Sequence, residues 1–231
     1  MAQFMDFAVF FDFDGVIADS ERLHHRAYQL LLGPLGLGFS WDAYRTAYIG
    51  YDDRDVFRRV HRDAGLELAP DRLKDLMARK ADFFAGLARN EPPPLYPGVR
   101  PLLDGLRSRA RLALCSGAMR GDIDPILRAA GIEDRFDAIV TAEDVPASKP
   151  DPACYRLART RLHARAGNAG DAPGGVAIED TPAGIESARG AGLRVLAVCT
   201  THAPAELAAA DRIADSLAEV RTGLLETLAA P

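Results

Sequence analysis

Six polar residues stand at or near the ends of apolar segments. Asp12 and Asp14 close one run, Ser116 a second, and Glu179 and Asp180 a third, with Lys149 in the loop Lys149-Pro150-Asp151-Pro152. A two-residue spacing points the Asp12 and Asp14 side chains to one side if extended geometry persists to Gly15. Carboxylates that close repel one another unless a cation intervenes. Up to four carboxylates, Asp12, Asp14, Glu179 and Asp180, with no cysteine or histidine set beside them, favour a hard ion such as Mg²⁺ over zinc. A carboxylate nucleophile beside a second carboxyl, a divalent cation, a hydroxyl and a fixed ammonium is the inventory for phosphoryl transfer through an aspartyl-phosphate. In such a site Mg²⁺ and Lys149 would offset the repulsion between two anions, Ser116 and backbone N–H groups could donate to phosphoryl oxygens, and Asp14 could protonate the leaving alkoxide and later activate water.

Strands are the elements that have to position these groups. Phe7-Ala8-Val9-Phe10-Phe11 is a continuous apolar run, the pattern of a strand buried on both faces. Leu112–Ser116, Ala138–Thr141, Val176–Asp180 and Val195–Val198 repeat the pattern, each after a helical segment, which predicts a doubly wound α/β sheet. Such sheets bind ligands beyond the carboxyl ends of their strands, where the polar residues fall. From about Ser20 to Asn90 the periodicity is helical throughout, as in Leu23, Ala27, Leu30 and Leu31 and then Leu73, Leu76, Met77, Phe83, Phe84 and Leu87. Glu91-Pro92-Pro93-Pro94-Leu95-Tyr96-Pro97-Gly98 cannot continue a helix and reads as a stiff extended connector. The spacing therefore predicts an α/β core of residues 1–18 and 95–231 interrupted by an all-helical cap of residues 19–94. Trp41, Phe10-Phe11 and Phe83-Phe84 read as core, and the stretch around Ala208-Ala209-Ala210 as helix.

Composition bounds the partners. The 231 residues carry a net charge of −5, 48% hydrophobic and 26% charged residues, so the chain can bury a substantial core and is expected to be a soluble globular protein. Without a basic footprint, neither nucleic acid nor an anionic membrane surface is expected as a partner. Cys115, Cys154 and Cys199 form no C-x-x-C pair and read as reduced thiols of a cytoplasmic protein. Met1–Asp6 lacks a basic start, and the apolar run behind it is too short for a leader or a span. A monomer is favoured.

Phe11-Asp12-Phe13-Asp14-Gly15-Val16, Ser116-Gly117, Lys149-Pro150 and Ile178-Glu179-Asp180-Thr181-Pro182-Ala183-Gly184 resemble the four ordered motifs of the haloacid dehalogenase-like phosphohydrolase superfamily. The resemblance implies a Rossmann-like core with Asp12 as nucleophile, Asp14 as acid/base, Ser116, Gly117 and Lys149 as phosphate binders, and Mg²⁺ held by Asp12, Asp180 and the Asp14 backbone carbonyl, with Glu179 beside them. An insertion directly after the first motif resembles the small-cap subgroup that contains β-phosphoglucomutase and sugar-phosphate phosphatases. It implies a small phosphorylated substrate. His24 lies where the mutase has its cap-closure histidine, and Lys80 matches a mutase lysine that contacts substrate. Gly50-Tyr51-Asp52-Asp53-Arg54 is similar to the mutase specificity loop, with Arg54 one residue later than the mutase arginine. As residues alone, His24 reads equally as a helix histidine, and Tyr51, Arg54 and Lys80 as solvated surface.

The second motif departs from the mutase. Where the mutase has a serine and a lysine for the non-reacting phosphate, this chain has Ala118 and Met119, with Arg120 one place on. A phosphatase is the leading reading and a phosphosugar mutase the alternative. A true dehalogenase would leave Asp14 idle. A nucleotide-dependent oxidoreductase would need a G-x-G-x-x-G turn after the first strand, which Asp14-Gly15-Val16-Ile17 does not supply. A phosphorylation-dependent receiver shares the paired acids and the lysine but has no cap.

Overall fold

The computed structural model describes residues 7–165 and 174–230. The reading of Met1–Asp6 lies outside them. Six strands form one parallel sheet in the order β3-β2-β1-β4-β5-β6: β1 (Phe7–Phe11), β2 (Ala110–Cys115), β3 (Ala138–Val140), β4 (Gly175–Glu179), β5 (Arg194–Val198) and β6 (Arg212–Ala214). Within β1, Phe7, Val9 and Phe11 join one buried cluster while Ala8 and Phe10 join another, because successive side chains leave opposite faces of a pleat. Both faces are covered by helices, as parallel sheets require. The chain winds outward from β1 in two directions, so the switch point lies between β1 and β4, where a crevice opens beyond the strand ends.

Four helices follow β1 directly: α1 (Glu21–Leu32), α2 (Trp41–Ala47), α3 (Asp53–Asp63) and α4 (Pro70–Asn90). They bury a core of their own around Tyr28, Leu31, Leu32, Tyr44, Phe57 and Leu76. The chain leaves and re-enters the sheet domain through adjacent extended segments. Ala18 bridges Leu95, the Asp19 N–H donates to the Pro94 carbonyl at 2.9 Å, and the Tyr96 N–H donates to the Ile17 carbonyl at 3.0 Å. On that pairing we propose residues 19–94 as the cap. After it come α5 (Val99–Leu106), α6 (Arg120–Ala130), α7 (Ala153–Arg165), α8 (Pro182–Gly190) and α9 (Thr222–Ala229).

Some expectations differ from the fold. Ala208–Ala210 lies in turns: the Leu207 N–H reaches the Pro204 carbonyl and the Ala210 N–H reaches that of Leu207, three residues back in each case. The alanines supply helix propensity, but only Leu207 of that segment has a buried side chain to anchor it. Leu30, counted in the helical periodicity, is 49% exposed. Strand β6 lies at the sheet edge with Arg212 and Ile213 exposed, and so left no apolar run to read. Trp41 is only partly buried and lies beneath the Arg22 guanidinium at 3.6 Å. Cys115 and Cys154 are buried and unpaired, while Cys199 is half-buried. No helix among the described residues is long and apolar enough to cross a membrane.

Candidate active site

Register brings the site together. Phe11 pairs with Leu114 on one side and Ile178 on the other, so Asp12 emerges level with Cys115 and Glu179. The Asp12 N–H still reaches the Ile178 carbonyl at 3.0 Å, extending the ladder one residue beyond β1. The strand does not persist to Gly15: the backbone turns at Phe13, whose carbonyl accepts from the Ile17 and Ala18 N–H groups. Asp12 and Asp14 nevertheless line one cavity, through this turn rather than through an extended pair. Gly15 has φ +82°, and a Cβ there would lie 2.0 Å from Asp180 Oδ2, so only glycine fits.

Lys149 is buried between carboxylates. Its ammonium donates to Asp12 Oδ1 and Glu179 Oε1, both at 2.6 Å, and to the Cys115 carbonyl at 3.1 Å. Tyr155 Oη adds a donor to Glu179 Oε1 at 2.7 Å. Glu179 Oε2 accepts from the Asp180 N–H and from Thr181 Oγ1, so both its oxygens are engaged. Burial lowers the proton affinity of the ammonium, but Asp12 and Glu179 more than reverse this and hold it charged. Burial and the neighbouring acids push Asp12 and Asp180 well above the ordinary carboxylate range, despite Lys149 on Asp12 and Thr201 on Asp180.

Asp12, Glu179 and Asp180 each place an oxygen within 4.8 Å of the others, all buried. Asp180 Oδ2 accepts from Thr201 Oγ1 at 2.5 Å, whereas its Oδ1 is buried without a hydrogen-bond partner. An orphaned carboxylate oxygen inside a cluster of mutually repelling acids fits a cation. The acidic cluster is thus able to hold a metal ion.

Asp14 faces the cap. Its Oδ1 accepts from Ser20 Oγ and from His24 Nε2 at 3.1 Å, and Ser116 Oγ lies 3.5 Å from Oδ2. Burial raises the Asp14 carboxyl, but His24, Ser20 and Lys80 outweigh it and keep the group ionised at rest. Lys80 Nζ lies 2.7 Å from His24 Nδ1, which requires that nitrogen to present its lone pair and leaves the proton on Nε2. Desolvation and Lys80 lower the imidazole's proton affinity and Asp14 raises it further, so the ring is held between opposed charges. Phe84 stacks on it at 4.2 Å.

The family model of haloacid dehalogenase-like hydrolases matches residues 8–192. The chain belongs to that family. This hydrolase is 32% identical over 222 residues to protein CbbY of Cereibacter sphaeroides, covering 92% of this chain and 93% of that protein. It is 30% identical over 191 residues to the phosphorylated carbohydrates phosphatase of Thermotoga maritima, covering 80% and 82% of the two chains. It also superposes on a crystal structure of CbbY from Rhodobacter sphaeroides in complex with xylulose-1,5-bisphosphate, with a TM-score of 0.80 and 29% identity over 93% of this chain and 96% of that one.

Of the residues singled out from sequence, Asp12, Asp14, His24, Gly117 and Lys149 line the hydrolase's central cavity, with Ser116, Glu179 and Asp180 buried directly around it. Two others do not reach it. Lys80 is fully buried behind His24, where Asp53 Oδ1 at 2.9 Å and Asp122 Oδ2 at 3.5 Å flank its ammonium. Arg54 is turned onto the core: it pairs with Asp52 at 2.6 Å and donates to the carbonyls of Ala142, Val145 and Pro146 at 3.2–3.3 Å. Its one-residue offset in the loop places it as a clasp between cap and core. Arg120 likewise pairs with Asp124 on its own helix.

The sequence reading missed Glu21, Tyr28, Tyr44, Asp53 and Thr181, all of which line the cavity. Glu21 and Asp53 stand in the first turns of α1 and α3, where acids are expected for the helix dipole alone. Burial, with Asp14 nearby, raises Glu21 to about 7, and its Oε2 accepts from Tyr44 Oη at 2.6 Å. The cavity itself measures ≈ 40 Å³, room for a few waters and no sugar phosphate.

Proposed function

We propose that this hydrolase is a Mg²⁺-dependent phosphatase of a small phosphorylated sugar, working through a phospho-Asp12 intermediate. The observation that carries the reading is the Asp12 carboxylate held at 2.6 Å by a buried ammonium beside Asp180, whose second oxygen has no partner. The names of its relatives support the substrate class: a phosphorylated carbohydrates phosphatase, and a CbbY that binds a sugar bisphosphate.

Asp12 and Asp180 would hold the ion, with Glu179 completing the acidic cluster and the Asp14 backbone carbonyl as a further ligand. Bound there, Mg²⁺ supplies positive charge that offsets repulsion between the Asp12 carboxylate and the phosphate. In the first step an Asp12 oxygen forms a bond to phosphorus while the bond to the substrate alkoxide breaks, and Asp14 delivers a proton to that alkoxide. The resting Asp14 is ionised, so it takes up this proton once the dianionic phosphate lies beside it. In the second step Asp14 removes a proton from water as the water attacks phosphorus, and the bond to Asp12 breaks to release inorganic phosphate. Lys149, Ser116 and the N–H groups around Gly117 would donate to the phosphoryl oxygens throughout, and His24 would fix the Asp14 carboxyl. Cap closure excludes bulk water from the first step.

Phosphate release from a panel of sugar phosphates, with and without Mg²⁺ and with Asp12→Asn as the blank, tests this reading. Metal-dependent release absent from the blank is the expected result. Glucose 6-phosphate accumulating from β-glucose 1-phosphate plus a trace of bisphosphate, without free phosphate, would establish a mutase instead.

A further inference from the structure

The cap half of the cavity carries acids where a second phosphate would need cations. Glu21 and Asp53 line it together with the hydroxyls of Tyr28, Tyr44 and Tyr51. Among the described lining residues the cationic side chain is Lys149, on the core side, apart from the His24 imidazole. The two cap cations that the resemblance singled out for substrate contact are committed elsewhere. Lys80 is enclosed by His24, Asp53 and Asp122, and Arg54 spends its guanidinium on Asp52 and three backbone carbonyls of the core.

A second, independent observation concerns Asp53 itself. Its Oδ1 is satisfied by Tyr28 Oη at 2.5 Å and by Lys80, but its Oδ2 is buried with no hydrogen-bond partner, in a residue only 8% exposed. Asp53 lines the cavity, and a buried carboxylate oxygen without a partner calls for a hydrogen-bond donor, which a phosphate dianion or a carboxylate group does not offer. Glu21 adds a second acceptor on the same side, oriented by Tyr44.

We infer that the substrate is a monophosphate ester whose alcohol portion bears hydrogen-bond donors, hydroxyl or ammonium groups, and no second phosphate or carboxylate. Glu21 and Asp53 are the residues that impose this selection. The inference rests on the phosphatase reading and narrows its substrate class.

The test is binding to the Asp12→Asn protein in Mg²⁺ by calorimetry, using three matched pairs: glucose 6-phosphate with glucose 1,6-bisphosphate, fructose 6-phosphate with fructose 1,6-bisphosphate, and ribulose 5-phosphate with its 1,5-bisphosphate. Each bisphosphate is expected to bind at least tenfold more weakly than its monophosphate. The gap should close to within about threefold when Glu21→Gln and Asp53→Asn are added. Any bisphosphate that binds more tightly than its partner overturns the inference, as does a gap untouched by the two substitutions. Glucosamine 6-phosphate against glucose 6-phosphate then separates ammonium from hydroxyl recognition. Turnover by the unmodified enzyme is scored separately: no phosphate released from any ester, with the binding order intact, overturns the phosphatase reading alone.

Discussion

Two buried lysines, one in the core and one between cap and core, have the same surroundings and different work. Lys149 and Lys80 are each flanked by two carboxylates, Asp12 and Glu179 in the first case, Asp53 and Asp122 in the second. Burial works against the charge of both, and in both the flanking acids win and raise the pKa. The difference lies in what else each ammonium can reach. Lys149 lines the cavity beside the proposed nucleophile, whereas Lys80 is fully enclosed and ties α1, α3 and α4 of the cap to α6 of the core through His24, Asp53 and Asp122. An ion pair of the same composition thus faces the cavity and the proposed chemistry at one place and is a fastening at the other, and access to the cavity separates the two.

Removing each lysine is the sharpest way to break that comparison. Lys149→Ala should lower phosphate release by about 10³-fold, because a charge opposite the transferring group is lost as well as a buried pair. Lys80→Ala should act chiefly on stability, by about 3–5 kcal/mol, since Asp53 and Asp122 are left without their shared cation. Thermal unfolding beside turnover of a small aryl phosphate separates the two effects, and equal activity losses in the two variants would erase the distinction. Next in size is Arg54→Ala, which frees three core carbonyls and Asp52 and should weaken cap closure by about 1–3 kcal/mol. Faster proteolysis at the connectors around Ala18 and Leu95 checks it, and an unchanged rate would mean that the clasp holds nothing.

Glu21→Gln gives a smaller, pH-dependent effect. The folded state holds the Glu21 proton with a pKa of about 7 against an ordinary value of 4.5. The stability this contributes is fully present below pH 4.5 and is lost as the pH rises through 7. The Gln variant should therefore gain on the unmodified protein between pH 5 and 8, by roughly 1–3 kcal/mol, in paired thermal melts. A constant offset across that range would place the charge of Glu21 elsewhere. Smallest is Arg120→Ala: its exposed pair with Asp124 on α6 should be worth no more than about 0.5 kcal/mol and leave turnover unchanged.

The sheet and its strand-end residues were legible because both depend on short-range pattern. Short, β-branched or aromatic apolar runs bounded by turn residues fit strands buried on both faces, and the residue after each run then falls at the rim of the sheet. The cap was legible as helix but not as a surface. Glu21 and Asp53 each occupy a helix first turn, where an acid needs no further explanation, and nothing local marks them as facing one cavity. Tyr155, in the first turn of α7, carried no signal at all, although its hydroxyl secures Glu179. Arg54 and Lys80 were singled out by resemblance alone, and their partners lie far away in sequence, at Ala142–Pro146 and Asp122.

By itself the sequence determined the first five strands in chain order, the helical insertion after the first motif, and the groups we propose for the chemistry. These follow from hydrophobic period and from the few residue types that can attack, protonate or hold phosphate. Only the tertiary structure decided which charges face the substrate and which face one another. That choice rests on distances of 2.6–3.5 Å between residues dozens of positions apart, such as Lys149 with Asp12 and Lys80 with Asp122. A buried charge must find a partner wherever the fold supplies one, and so the folded packing, not the local spacing, assigns each cation to the site or to the scaffold.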